Sequence, residues 1–505
     1  MNTPKADASE FLHSDSAILR FAVLSQKQFF FLLFIYFGLQ TLIRVLISGT
    51  VDLDESEQLI LTQKFSWGYG SQPPLYTWIQ MLFFKAFGIS VFALALFKNL
   101  LLLSIYVFTY LNVRFVTRSH VCGMLGAISL LFIPQVSWES QRDLTHSVLA
   151  SALVSVTLFV FLRLRENSWL DYAVFGVCAA LGILSKYNYT VFLFGLILSA
   201  LTLGRFRSGI LNKRILLSIV ACFLLLSPHL FWDFNNRALL ISTAYKFHQQ
   251  QNNVWFSAVV SGLKHLALAL VSHLGPCVII LTMFFREQLF RKTTLNKNND
   301  YAKLIARKYW FIGAGLVLGI LLFQITGFKD RWFEPIFISL PLFLFVLAQD
   351  WMMPAHAKNF FLIGGVVALL VLILIPMRII LADEAGWTQL LNAPYRELSP
   401  KLNAVIPSDA LVVAENKWIG GNIRLLFPDR NVVTPELAKL FSATNRNCAV
   451  VWDANQRPAP ALPFRQFVRD FSGSDLNKTQ PAFVEAVYQF HRAKKFRLGI
   501  SSSNR

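Results

Sequence analysis

The chain has 505 residues, of which 55% are hydrophobic and only 15% charged, against roughly 25% charged in ordinary globular proteins. A mean hydropathy of +0.50 excludes an ordinary soluble chain, and 25 Gly, 19 Pro and 5 Cys exclude collagen-like, disordered and disulfide-scaffold chains. The net charge of +19 marks a nucleic-acid partner only if the charges cluster on one soluble surface, and they do not.

The first 27 residues are polar and mixed in charge, and no small-residue cleavage site follows the first apolar run, so they are expected to form a cytoplasmic segment rather than a signal peptide. Apolar runs of bilayer length then recur. Spans are predicted near 28–48, 91–112, 121–138, 146–162, 169–185, 188–203, 215–232, 263–284, 309–326, 334–349 and 359–381. An odd number of spans puts the termini on opposite sides. With the N-terminus inside, the inner segments hold 19 Lys/Arg and the outer loops before the tail hold 8. Short inner loops carry Arg205, Arg207, Lys213 and Arg214, then Arg286, Arg291, Lys292, Lys297, Lys303, Arg307 and Lys308. The excess of positive charge inside predicts N-in, C-out.

From about residue 385 the apolar runs shorten and Pro and Asn become frequent. DALVVAENKW and NCAVVWDAN are expected to be buried strands bounded by turn residues, in a small α/β domain over 385–505 on the outer face. Gly420–Gly421, within ENKWIGGNIRLLFPDR, is expected in a strand-to-helix turn. Cys448 is this domain's single cysteine, and Cys122, Cys178, Cys222 and Cys277 fall in spans as small packing residues. The predicted fold class is therefore an all-α polytopic membrane protein of about 11–13 transmembrane helices over 28–384, carrying a small α/β C-terminal domain.

This topology gathers ionisable residues at one membrane edge, where they are costly and so point to function. The first outer loop, 49–90, begins VDLDESEQ, with Asp52, Asp54 and Glu55 just beyond the first span. Asp52 is expected simply to end that span in water. The loop continues FSWGYGSQPPLYTW, where Gly68 and Gly70 permit tight turns and Pro73–Pro74 stiffen the chain. Trp67, Tyr69, Tyr76 and Trp78 suit either an interfacial aromatic belt or a sugar platform. The second outer loop, SWESQRDLTH, supplies Glu139, Arg142, Asp143 and His146; LSKYNY supplies Lys186 and Tyr187; GFKDRW supplies Lys329, Asp330, Arg331 and Trp332. Carboxylates beside cations suit transfer from a phosphate-linked donor, a base activating a hydroxyl while cations stabilise the departing phosphate. A structural bridge from Asp143 to Arg142 or Lys186 is the bland alternative, as is snorkelling of Lys186 and Arg331 to headgroups.

The Asp-Glu pair, QPPLYTW about 17 residues later, RDLTHSVLAS, the LSKY hairpin and DRWFEP, in this order over residues 28–350, resemble membrane glycosyltransferases of the C superfamily (GT-C). More narrowly, they resemble the bacterial branch related to dolichyl-phosphate-mannose protein mannosyltransferases, which includes lipid A aminoarabinose transferases and rhizobial lipopolysaccharide galacturonosyltransferases. The resemblance implies a polyprenyl-phosphate sugar donor and inverting transfer on the periplasmic face of the bacterial inner membrane, to lipid A, lipopolysaccharide core or a related glycan. No cofactor is required by it, and a divalent metal is optional, with Glu55 and His146 as candidate ligands. Carried over by residue, Asp54 matches the base or acceptor-orienting carboxylate, Glu55 stands beside it, and Asp143 matches the second-loop acid. Lys186, Tyr187, Arg331, Gln72, Tyr76 and Arg142 are candidate donor-phosphate and substrate contacts. The chain departs from the aminoarabinose branch in carrying Ser71-Gln72-Pro73-Pro74 where that branch has an E-K-P motif, which argues against aminoarabinose as the sugar. Two other readings remain open: protein O-mannosyl transfer, and transport of a polyprenyl-linked lipid, the latter disfavoured because no internal repeat is evident.

Overall fold

The computed structural model describes residues 24–70, 72–237, 255–290, 299–348, 354–441, 447–455, 457–473, 476, 480–491 and 493–503. Most of the N-terminal segment, Ser71, and the basic residues Arg291, Lys292 and Lys297 lie outside this range.

Each apolar run read from the sequence is helical over most of its described residues. The helices are α1 (Gln26–Ile47), α2 (Leu53–Leu61), α3 (Leu75–Phe87), α4 (Val91–Thr117), α5 (His120–Ser129), α6 (His146–Leu162), α7 (Trp169–Ser185) and α8 (Tyr189–Leu201). They continue as α9 (Gly204–Ile210), α10 (Ile215–Asn235), α11 (Trp255–Phe290), α12 (Asp300–Phe323), α13 (Glu334–Phe337), α14 (Leu340–Ala348) and α15 (Pro354–Ile380). Among the described residues, six are long and apolar enough to cross a bilayer, or eight if two bent pairs each count as one span. The sequence count of 11–13 was higher because α6, α7 and the α13–α14 segment are shorter apolar helices. Their packing is intramolecular: α6, for example, contributes Val148, Ala152, Val154 and Leu158 to the main core. Lys308, assigned from sequence to an inner loop, instead lies buried within α12, where its ammonium donates to the carbonyl of Ile336 and to Ser339 Oγ at the α13–α14 break.

The loop 49–90 is not irregular but folds into α2 and α3. Asp52 caps α2, its carboxylate accepting the Leu53 amide at 2.8 Å, while Glu55 accepts the Asp52 amide at 3.3 Å. This reciprocal capping satisfies two amides that would otherwise be orphaned at the helix start. Asp52 is therefore buried in a helix cap rather than ending α1 in water.

The C-terminal domain contains α16 (Tyr395–Val405), β1 (Leu411–Ala414), α17 (Lys417–Leu426), β2 (Val432–Val433), β3 (Cys448–Asp453), α18 (Leu462–Ser472), β4 (Ala482–Val487) and β5 (Lys495–Ser503). Both expected strands are present as β1 and β3, apolar except for the terminal Asp453 and buried at every position but Leu411 and Asp453, as suits central strands. The sheet order is β2-β1-β3-β5-β4, parallel on the β2-β1-β3 side and antiparallel at β3-β5 and β5-β4. The five cysteines form no disulfide.

This domain is joined to the first loop by a shared core. Ile60 and Leu61 of α2 and Tyr69 pack with Leu398, Ile419, Ile423, Val432 and Val451. Gln63 extends the sheet edge, donating to the Val432 carbonyl at 2.9 Å and accepting the Val432 amide at 2.8 Å. Trp418 Nε1 donates to the Val51 carbonyl at 2.9 Å, and the Val51 amide donates to Asn422 Oδ1 at 2.9 Å.

Candidate active site

Three faces of α2 are engaged by different parts of the molecule. Glu55 turns inward and is 1% exposed. Arg44 of α1 reaches it at 2.6 Å and Lys98 of α4 at 3.6 Å. Burial works to raise the Glu55 carboxyl, but these two cations outweigh it and hold the group down to about 2. Gln58, on another face, accepts from Thr77 of α3 at 2.9 Å and lies 3.4 Å from His146 Nε2 of α6. The third face, at Ser56, meets α17.

Asp54 is thereby left at the edge of the helix. Its amide donates to Asp143 Oδ1 at 3.1 Å, and Thr145 Oγ1 lies 3.5 Å from Asp54 Oδ2. Asp143 reaches this position because the chain bends by 78° between His120–Phe132 and Gln135–Arg142. The bend contains a π-helical turn at Gln135–Glu139, a rare geometry that recurs at functional sites. Burial raises both carboxyls of the pair; the neighbouring Asp54 charge adds to the rise at Asp143, which is pushed up to about 6. Asp52, raised by burial and by the Asp143 charge, also reaches about 6. Burial thus raises the proton affinity of all three carboxylates.

A cavity of about 620 Å³ opens beside Asp143, with Arg142, His265, Lys329, Asp330 and Arg331 on its wall. Arg142 pairs with Glu139 at 3.2 Å, and Arg331 is exposed into this region. Asp330, whose Oδ2 lies 3.2 Å from Gln135 Nε2 and 3.4 Å from Ser272 Oγ, anchors the loop. Lys186 donates to Ser147 Oγ at 2.5 Å, and Glu334 accepts from Ser151 Oγ at 3.0 Å. Ser147 and Ser151 are one turn apart on α6, so that helix spaces the ammonium and the carboxylate. Burial depresses the Lys186 ammonium to about 8, with the Glu334 charge opposing.

The sequence-derived candidates thus divide into groups. Asp54 and Asp143 converge; Arg142 and Arg331 flank the cavity; Lys186 lies nearby against α6. Tyr187 engages Asp233 at 3.0 Å and lies 3.1 Å from His229 Nε2, whose Nδ1 donates to the Trp67 carbonyl at 2.8 Å. That network pins the aromatic loop to α10. Gly68 serves it by close approach, since a Cβ there would lie 2.1 Å from the Trp232 ring, and Gly70 by its φ of +144°. Tyr76 is buried against Phe97 and His146, with ring centroids 4.8 Å and 5.4 Å away, and Gln72 is half-buried in the turn before α3. Of the proposed aromatic platform, Trp67 is exposed and packs edge-on to Trp78, whereas Tyr69 and Tyr76 are buried.

Sequence reasoning missed Lys98, Glu57, Glu334 and Lys417. Lys98 carried a signal, being a lone cation within the apolar run VFALALFKNLLLL. Lys417 carried none. For a metal, Glu55 is committed to Arg44 and Lys98, and His146 to Gln58 and the Ser185 carbonyl. No group of three or more His, Cys, Asp or Glu among the described residues is arranged to hold one.

A helical membrane body with paired carboxylates beside a cation-lined cavity and a docked α/β domain defines a polytopic glycosyltransferase. The fold matches that of ArnT from Cupriavidus metallidurans, solved bound to undecaprenyl phosphate, with a TM-score of 0.59 at 11% identity over 94% of this chain and 98% of that one. Residues 71–232 match the family model described as dolichyl-phosphate-mannose-protein mannosyltransferase. The lipopolysaccharide core galacturonosyltransferase RgtB of Rhizobium johnstonii is 30% identical over 94% of this chain and 97% of its own length. RgtA of the same organism is 30% identical over 80% of this chain and 81% of its length. The chain belongs to this family of membrane glycosyltransferases.

Proposed function

We propose that the protein transfers galacturonate from a polyprenyl-phosphate donor to the core sugars of lipopolysaccharide, with inversion at the anomeric carbon. It would act at the periplasmic face of the bacterial inner membrane, with the N-terminus cytoplasmic and the C-terminal domain periplasmic. The observation that carries the reading is the Asp54–Asp143 pair beside a cavity flanked by Arg142 and Arg331. The match in length and sequence to the rhizobial galacturonosyltransferases supports the sugar and the acceptor.

In the reaction, the carboxylate of Asp54, oriented by Asp143, takes the proton of the acceptor hydroxyl. The hydroxyl oxygen bonds to the anomeric carbon as the bond from that carbon to the phosphate oxygen breaks. The electron pair leaves with the polyprenyl phosphate, whose charge Arg331 and Lys186 stabilise.

The test is transfer of labelled galacturonate from polyprenyl-phosphate galacturonate to purified lipopolysaccharide core by the purified protein, with mass spectrometry of the envelope from a deletion strain. Core that lacks one galacturonate in the deletion strain and regains it with the purified protein supports the reading. An unchanged sugar profile in lipid A, core and glycoproteins would overturn it.

A further inference from the structure

The C-terminal domain does more than cover the membrane body, because one of its side chains pairs with a carboxylate one turn from Asp54 on α2. Helix α17 crosses α2 so closely that a Cβ on Gly421 would lie 2.5 Å from Ser56 Cα. Gly420 and Gly421 are thus part of a helix–helix contact rather than the expected turn. That contact brings the first residue of α17, Lys417, to Glu57, with Nζ 2.7 Å from Oε2. Both side chains are about 30% exposed (30% and 28%), so the pair sits at the site's rim rather than in bulk water. Asp54 and Glu57 are three residues apart on α2 and so share one face of it.

The charged groups facing Asp54 come from six places. Its own helix supplies Glu57; the bent second loop supplies Asp143; α4 supplies Lys98; the turn between α7 and α8 supplies Lys186; the loop before α13 supplies Arg331; and α17 supplies Lys417. Asp52 and Arg378 of α15 stand further along the same cluster, beside Asp143. Lys417 is the one cation in this set that belongs to the C-terminal domain.

We propose that Lys417 is a positioning residue for the transfer reaction: its ammonium, held by Glu57 on the face of α2 that carries Asp54, sets the charge around that carboxylate and so makes activity depend on docking of the C-terminal domain. This inference rests on the assignment of Asp54 as base. Burial and the Glu57 charge both raise the Asp54 carboxyl, and Lys417 is the strongest of the cations that oppose them, ahead of Arg331 and Lys98. Glu57 and Lys417 therefore act on Asp54 with opposite signs, which separates this role from that of a docking ion pair.

The experiment is the pH dependence of kcat/KM for the full-length protein in proteoliposomes, with polyprenyl-phosphate galacturonate and purified lipopolysaccharide core as substrates. Lys417→Met is expected to move the acid limb upward by about one pH unit. Glu57→Gln is expected to move it downward, and Lys417→Arg to leave it where the unaltered protein has it. Equal losses of activity in Lys417→Met and Glu57→Gln with no movement of the limb would overturn the proposal, since a docking bridge predicts that result. Should Lys417→Met fail to fold, Lys417→Gln, which keeps a polar side chain beside Glu57 without the charge, carries the test with the same expected upward movement. Asp54→Asn separates the two levels of the argument. Full activity there would overturn the base assignment and the proposal together, whereas an inactive Asp54→Asn with an unmoved limb in Lys417→Met would overturn the proposal alone.

Discussion

The backbone amide of Asp54 donates to Oδ1 of Asp143 at 3.1 Å across a sequence separation of 89 residues. One carboxylate thus orients the backbone that carries the other. Asp54→Asn is expected to lower kcat by about 10²–10⁴-fold, the usual range for loss of a general base. Asp143→Ala, which removes the acceptor of the Asp54 amide, should lose more activity than Asp143→Asn, which keeps an acceptor oxygen. Burial raises both carboxyls of the pair, Asp143 to about 6, so activity should fall as pH drops and Asp54 takes up its proton. Steady-state kinetics against pH measures each outcome.

Glu55 is expected to matter through folding rather than chemistry. Glu55→Gln leaves Arg44 and Lys98 uncompensated in a buried setting, a change that costs about 3–5 kcal/mol. The double variant Glu55→Gln/Lys98→Met should recover part of that loss, and thermal unfolding in detergent reads both. The sign with pH follows from the lowered carboxyl, about 2 against an ordinary 4.5. The stabilisation is fully present above the ordinary value and is lost as pH falls towards 2.

Lys186 sets the expected basic limb. Its ammonium, lowered by burial to about 8, loses charge as pH rises through that value, and with it any attraction for the donor phosphate. Lys186→Met should raise KM for the polyprenyl-phosphate donor and remove that limb, whereas Lys186→Arg should move the limb to higher pH. A basic limb unchanged in Lys186→Met would assign it to another group.

Gly421 tests the docking of the C-terminal domain. Gly421→Leu places a side chain where a Cβ already meets Ser56 Cα at 2.5 Å. Overpacking of this kind costs about 1–3 kcal/mol. Limited proteolysis should then cut more readily between α15 and α16, and transfer activity should fall with it.

The membrane body was legible from composition because apolar runs declare themselves wherever lipid replaces water as solvent. The strands at Leu411–Ala414 and Cys448–Asp453 were legible because short β-branched runs bounded by turn residues carry the same information locally. The loops that carry the site were legible only as lists of charges. Asp54 and Glu55 are adjacent in sequence, yet α2 sends one to Asp143 and the other to Arg44 and Lys98. Neighbours on a helix point about 100° apart, so adjacency could not reveal which carboxylate was free to react.

The sequence by itself determined that this chain is a membrane enzyme with carboxylates and cations at one edge, since hydrophobicity and charge act residue by residue. Only the tertiary structure decided which of those groups meet. The bend at the π-helical turn brings Asp143 to Asp54, and the glycine contact of α17 brings Lys417 to Glu57. Both juxtapositions depend on helices that pack across long separations, and such packing leaves no local pattern in the chain.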